Sequence, residues 1–382
     1  MSGRAGTSRA LHRFAGDRAE KSISLALQGG GAHGAFTWGV LDAILEDGRL
    51  AIEAITGTSA GTLNAVILAD GWIEGGVDGA RTQLEAFWRR VSRDGGLTDL
   101  QRTLFDRYLA FWCPDGSPAH LWLDTWTRSA SPYETNPLDI NPLRELVDQL
   151  IDFERLRQAR GIQLFVTATN VWTGKVHIFE RRELTAAHVM ASACLPMLFQ
   201  AVEIEGEPYW DGGYAGNPAL YPLFYNVESD DILLVQINPI ERRTTPHTVH
   251  DIQNRLSEIT FNSGLLAELR AIDFVVRLVD HGKLSRDEYK RVLMHRIHGG
   301  PRLDAFTASS RTSSAATLSS PARALVLEAP PWMPSFLPSP SSRSASASSR
   351  LCASRENSSC LTWINSWVVP RVCLVDAYSA AL

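Results

Sequence analysis

Ile52-Glu53-Ala54-Ile55-Thr56-Gly57-Thr58-Ser59-Ala60-Gly61, followed by Thr62 to Ala69, is the stretch that decides the fold. Ile52 to Thr56 has the length and apolar character of a buried strand, Gly57 and Gly61 break it, and Thr62 to Ala69 continues as a helix. Gly57-Thr58-Ser59-Ala60-Gly61 fits the pattern G-x-S-x-G, in which flanking glycines let a chain turn sharply from strand into helix and leave the serine projecting from the turn. In a glycine-rich chain this pattern alone is often an ordinary turn. The strand before it and the helix after it supply the context the motif needs.

Upstream, Ser22 to Leu27 reads as a strand, the glycine cluster Gly29-Gly30-Gly31-Ala32-His33-Gly34 follows, and Phe36, Val40, Leu41 and Ile44 mark a helix. Two consecutive strand–turn–helix units imply a parallel sheet. Unshielded N–H groups at the start of a helix favour negative charge, so the glycine cluster is a candidate oxyanion hole. Gly29, Gly31 and Gly34 also satisfy G-x-G-x-x-G, the dinucleotide-binding pattern. Against that reading, the second strand ends in Thr56-Gly57-Thr58-Ser59, where an acid for the ribose is expected, and Glu53 lies at the strand's start.

Downstream, Ile162 to Asn170 reads as a strand, with Lys175 to Glu180 as its hairpin partner across Trp172-Thr173-Gly174. A helix from Thr185 to Ala193 follows. A second hairpin, Val202 to Ile204 with Pro208 to Trp210, turns at Glu205-Gly206-Glu207 and delivers Asp211-Gly212-Gly213 at a strand end. Asp-Gly alone is a common turn. With the serine elbow in the same sheet, the aspartate gains a role, because a serine nucleophile needs a base within reach. Asp231 to Ile237 is a further buried strand, His250 to Asp280 a long helix, and Leu293 to Ile297 a last strand.

Thr82 to Ala159 is mostly helical with breaks at Asn136-Pro137 and Asn141-Pro142. It contains Phe105, Tyr108, Phe111, Trp112, Trp122 and Trp126, which suit either a lid at an apolar–polar boundary or helical packing. His177, His188, His281, His295 and His298 lack metal-ligand spacing, so no metal is expected. Cys194 reads as a packing residue.

Composition sets the class. The 382 residues are 45% hydrophobic and carry a net charge of -5, enough for one large core and without the basic footprint of a nucleic-acid binder. Five cysteines without a CxxC fit reduced thiols and a cytoplasmic protein. Residues 1–20 carry Arg4, Arg9, Arg13 and Arg18 but no apolar core, so they read as a mobile tail rather than a secretory signal. No run approaches the roughly 18 apolar residues of a spanning helix, so any membrane contact is expected to be peripheral. After about Thr307, Ser, Ala, Arg and Pro dominate and periodicity stops. Residues 307–382 therefore fit a disordered tail or a reading-frame change in a GC-rich gene, leaving 21–300 as the folded domain.

Taken in order, Gly29 to Gly34, Gly57 to Gly61, and Asp211-Gly212-Gly213 resemble the patatin-like phospholipases. Ala191-Ser192-Ala193-Cys194-Leu195-Pro196, with Phe199 after it, also looks like that family's helix and loop before its Asp-Gly-Gly strand. The resemblance runs from Lys21 to Ile240, more loosely to His298. It implies an α/β three-layer sandwich with a mainly parallel central sheet and helices on both faces. It also implies a Ser59–Asp211 dyad acting on lipid acyl esters without cofactor, metal or calcium, with phospholipase A, lysophospholipase or esterase activity. Gly29, Gly30, Gly31 and Gly34 would form the oxyanion hole, Gly57 and Gly61 the elbow, and Gly212 and Gly213 the proton-acceptor loop. The chain departs from the family at His33, where Arg or Lys is more usual, and in its C-terminal part. A nucleotide-binding oxidoreductase, and a catalytically idle membrane- or partner-binding module, are the alternatives. The residues carry no signal for acyl chain, head group or oligomeric state.

Overall fold

The computed structural model describes residues 14–16, 19–91 and 131–299. The aromatic stretch Phe105 to Trp126 and everything beyond residue 299 lie outside the described residues. Among the described residues, eight strands form one sheet: β1 (Lys21–Leu27), β2 (Leu50–Thr58), β3 (Gln163–Asn170), β4 (Val176–Glu180), β5 (Val202–Ile204), β6 (Glu207–Asp211), β7 (Asp231–Gln236) and β8 (Leu293–His298). Their order is β5-β6-β3-β2-β1-β7-β8, with β4 also on β3. β3, β2, β1, β7 and β8 are mutually parallel, and β4, β5 and β6 are antiparallel additions at one side.

Alternation along the strands supplies two cores. Leu25 and Leu27, Leu164 and Val166, and Leu233 and Val235 point to one face, where α1 (Gly34–Asp47), α2 (Ala60–Val91), α4 (Pro142–Leu150), α5 (Phe153–Gln158) and α6 (Ala186–Ser192) cover them. The residues between them, Ala26, Phe165, Ile232 and Leu234, point to the other face. There α7 (Pro222–Tyr225) and α8 (Val249–Asp280) pack through Leu223, Leu265 and Ile272. The short α3 (Pro132–Thr135) precedes α4. Strands buried on both faces read as continuous apolar runs rather than alternating ones, as Ile232 to Val235 of β7 do. The mixed α/β sandwich, with a mostly parallel sheet between helices, is thus the architecture of the chain.

The match of β1 to β2 contains a bulge: Ile23 pairs Ile52 and Ser24 pairs Ala54, leaving Glu53 extra. The inserted residue puts Ile52 and Ile55 on one face and Ala54 on the other. Glu53 itself is buried and accepts the backbone N–H groups of Glu228 (2.6 Å) and Ser229 (2.9 Å) before β7. An acid at this strand start is therefore a structural staple.

How β3 shares its edges fixes the rest. β4 occupies one edge from Phe165 to Thr169. β2 must take the other edge, paired up to Thr58↔Thr167, and β6 takes the same edge from the next residue, Asp211↔Ala168 to Tyr209↔Asn170. β2 runs parallel to β3 and β6 runs antiparallel to it. Their C-terminal ends therefore meet head to head at Thr167 and Ala168.

Two sequence expectations need correction. The helix after the elbow extends to Val91, broken at Gly75 and Gly76, whose dihedrals leave the helical range. The first 20 residues are not all a free tail: Phe14 is buried, pairs with Ile52 through two backbone hydrogen bonds of 3.0 and 2.8 Å, and stacks on Trp72 at 4.8 Å between ring centroids. One aromatic residue among small and basic neighbours carries no periodicity, so its docking was invisible to pattern reading.

Candidate active site

Ser59 stands between β2 and α2 with φ 54°, a left-handed conformation that costs a non-glycine residue of order 1–2 kcal/mol. The surroundings hold it there. Its N–H donates to Ser192 Oγ at 2.9 Å, and that oxygen shares a 2.8 Å hydrogen bond with Thr62 Oγ1. Thr56 and Thr58 hydroxyls donate to the carbonyls of Ala219 (2.8 Å) and Gly216 (2.9 Å), locking the strand end to the chain after Asp211. Close packing explains the glycines: a Cβ at Gly61 would lie 2.1 Å from Leu27 O, and one at Gly57 would lie 2.8 Å from the Gly61 carbonyl group.

Asp211 arrives at the end of β6. Its N–H donates to Cys194 O (2.8 Å), its carbonyl accepts from Thr169 Oγ1 (2.8 Å), and its Oδ1 accepts from Gly213 N–H (2.8 Å). A Cβ at Gly212 would meet Thr167 O at 2.2 Å, and one at Gly213 would meet the Phe261 ring at 2.1 Å. Asp211 Oδ2 and Ser59 Oγ are both buried, and neither makes a hydrogen bond of ordinary geometry to a described residue. Burial pushes the Asp211 carboxyl up to about 7, while the Gly213 N–H and the nearby Ser59 hydroxyl favour its charged form.

The glycine turn lies directly on the elbow, since a Cβ at Gly29 would approach Ser59 Cβ to 2.8 Å. The four glycines do different things. Gly29 N–H is committed to Asn217 Oδ1 (2.6 Å), and its carbonyl accepts from Asn238 Nδ2 (2.8 Å). Gly34 donates its N–H back to the carbonyls of Gly31 and Ala32, and a Cβ there would lie 2.7 Å from Ala60 and 2.9 Å from Trp88. Neither fits the expected role of oxyanion donor. Gly30 and Gly31, the latter at φ 54°, carry N–H groups that meet no acceptor among the described residues. His33 is buried, and its Nδ1 lies 3.2 Å from Gly30 O, so a proton on Nδ1 would be donated within the loop. Gln28 secures the turn from below, accepting the N–H groups of Ile237 and Asn238 (both 2.8 Å) and donating to Asn262 on α8 (3.0 Å).

Sequence reading thus named Ser59, Asp211 and the glycines, and the sheet brings them together. It missed Asn217, Asn238, Gln28 and the part played by Ser192. Ser192 stands inside the family-like segment before the Asp-Gly-Gly strand, which was its one available signal. The amides reach the glycine turn across about 200 positions of chain, and no spacing rule encodes that.

The patatin-like phospholipase family model matches residues 25–224, and the chain belongs to that family. Membership supports lipid hydrolysis as its general activity, and it displaces the dinucleotide reading of the glycine turn. Among solved structures, VipD from Legionella pneumophila is 15% identical, with 83% of this chain and 70% of that chain covered and a TM-score of 0.35. ExoU, solved in complex with SpcU from the type III secretion system of Pseudomonas aeruginosa, is 17% identical, with 87% and 76% covered and a TM-score of 0.29. At these scores neither likeness carries a functional argument. No curated protein matches the sequence significantly.

Proposed function

We propose that the chain hydrolyses acyl esters of lipids, with Ser59 as nucleophile and Asp211 as the one side-chain base. The observation that carries this reading is the pair of buried oxygens, Ser59 Oγ and Asp211 Oδ2, at the meeting point of β2 and β6, neither bonded to another described residue. Ser59 Oγ attacks the ester carbonyl and gives its proton to Asp211, forming a C–O bond as the carbonyl becomes an oxyanion. The N–H groups of Gly30 and Gly31 receive that charge. Each such donor contributes roughly 2.7–4 kcal/mol to the transition state. Collapse expels the alcohol, which takes the proton back from Asp211, and leaves an acyl-serine. Water then gives a proton to Asp211 as it attacks the acyl group, and collapse expels the Ser59 oxygen, which takes that proton back, releasing the carboxylic acid and restoring both residues.

A carboxylate at its ordinary pKa is a poor base for such steps; burial that lifts Asp211 to about 7 makes it adequate near neutral pH. Phospholipase A, lysophospholipase and simple esterase activities all follow from this chemistry, with a lipid surface met peripherally and the cytoplasm as the site of action. A fluorophosphonate probe followed by mass spectrometry tests the reading. An adduct on Ser59 is expected, together with its loss in Ser59→Ala. Turnover of p-nitrophenyl esters by a Ser59→Ala protein at a tenth or more of the parent rate would defeat it.

A further inference from the structure

The geometry points to the segment Ser192 to Cys194 as the gauge that sets the spacing of nucleophile and base, with Ser192 as a positioning residue. This rests on the reading of Ser59 and Asp211 given above and adds a residue to it. Ser192 ends α6 and is fully buried. Its Oγ accepts the Ser59 N–H at 2.9 Å. Two residues on, the Cys194 carbonyl accepts the Asp211 N–H at 2.8 Å. One short stretch of chain therefore grips the backbone of both reacting residues.

The grip answers a need created by the sheet. β2 and β6 both hang on β3, and their ends meet without a ladder between them. Strand pairing sets Thr58 and Asp211 at consecutive positions of β3, but Ser59 lies one residue beyond that ladder and needs a further support to hold it at a set distance from Asp211. The segment that does so is itself rigid: Ala191, Ser192, Cys194 and Leu195 are all buried at 1% exposure or less, and Cys194 Sγ donates to Gln200 O at 3.1 Å. The Ser59 N–H also needs a partner for its own sake. In its left-handed turn it lies outside the hydrogen-bond ladder of α2, and a buried donor left unpaired destabilises the conformation that carries it. The Ser192 hydroxyl supplies the acceptor, and Thr62 Oγ1 orients that hydroxyl.

Replacement of Ser192 by Ala keeps the packing of α6 and removes the acceptor. Misplacement of a reacting group by about 1 Å costs on the order of 100-fold, and the loss falls on the transition state rather than on substrate binding. Full-length Ser192→Ala is thus expected to fold as the parent does by circular dichroism and to lose roughly 30- to 100-fold in kcat with KM within about threefold. Its rate of fluorophosphonate labelling at Ser59 should fall in parallel, and Ser192→Thr, which keeps the hydroxyl, should recover most of the loss. A folded Ser192→Ala protein with kcat within about threefold of the parent, or with only KM changed, overturns the proposal. Should Ser192→Ala fail to fold, Thr62→Val decides instead: it frees the Ser192 hydroxyl without removing it, a fall in kcat is expected, and unchanged kcat overturns the proposal. Failure of the parent itself to label at Ser59 would sink the nucleophile assignment, a result separate from unchanged kinetics in a Ser192 variant of a parent that does label.

Discussion

At the scale of single residues, Asp211 concentrates the tension between stability and chemistry. Its folded pKa of about 7 lies above the 3.8 of a free side chain, because burial penalises the charged form. The stability this residue contributes is therefore complete below pH 3.8 and is lost as pH rises through about 7, whereas the base proposed for it exists only above that point. Two expectations follow with opposite signs. In the parent, kcat should rise with an inflection near pH 7. Asp211→Asn, which cannot ionise, should abolish turnover and yet melt higher than the parent at pH 8, the difference shrinking toward pH 4. Three pKa units correspond to about 4 kcal/mol as an upper bound, and about 1 kcal/mol moves Tm by roughly 2–4 °C in a domain of this size. Thermal melts of both proteins across pH 4–8 check this, and a lower Tm for the variant at pH 8 would contradict the burial argument. Ser59 and Asp211 were legible as residues. The raised pKa was not, since it follows from what covers the carboxylate.

At the scale of elements, glycines that look alike in sequence separate into two kinds. Gly61 faces the Leu27 carbonyl so closely that an added Cβ would sit 2.1 Å away, and the obstacle is the backbone of β1. Gly75, at the break in α2, has open space around the same position and φ -147°. Gly61→Ala is expected to lose more than about 3 kcal/mol or to fail to fold, as overpacking against backbone does, while Gly75→Ala should change stability by less than about 1 kcal/mol. Urea titration of both variants separates the two, and equal losses would mean that the elbow relaxes. The elbow motif was readable because a strand, a turn and a helix adjoin within ten residues. The pairing of β6 with β3 was not, because strands 40 residues apart choose an edge only when β4 has filled the other one.

At the scale of the whole molecule, the sheet is anchored at its N-terminal edge by a contact remote from the chemistry. Phe14 stacks on Trp72 and pairs with Ile52, seven residues down β2 from Ser59, or about 23 Å along the strand. Phe14→Ala should therefore cost about 3–5 kcal/mol of stability, as loss of a buried phenylalanine does, and should leave the rate of Ser59 labelling unchanged. Denaturant titration with parallel labelling tests this; a slowed label in the folded variant would show that the anchor reaches the elbow. The sequence by itself determined the order of strands and helices, the parallel sheet and the motifs that carry Ser59, Asp211 and the glycine turn, because each is written in contiguous residues whose period or spacing expresses local backbone geometry. Only the tertiary structure decided which glycine N–H groups meet no acceptor among the described residues, that Asn217 and Asn238 hold Gly29, that Ser192 and Cys194 grip the backbone of Ser59 and Asp211, and that Asp211 is fully buried. These depend on groups up to two hundred positions apart, and the free energy that selects such partners exists only once the sheet has closed around them.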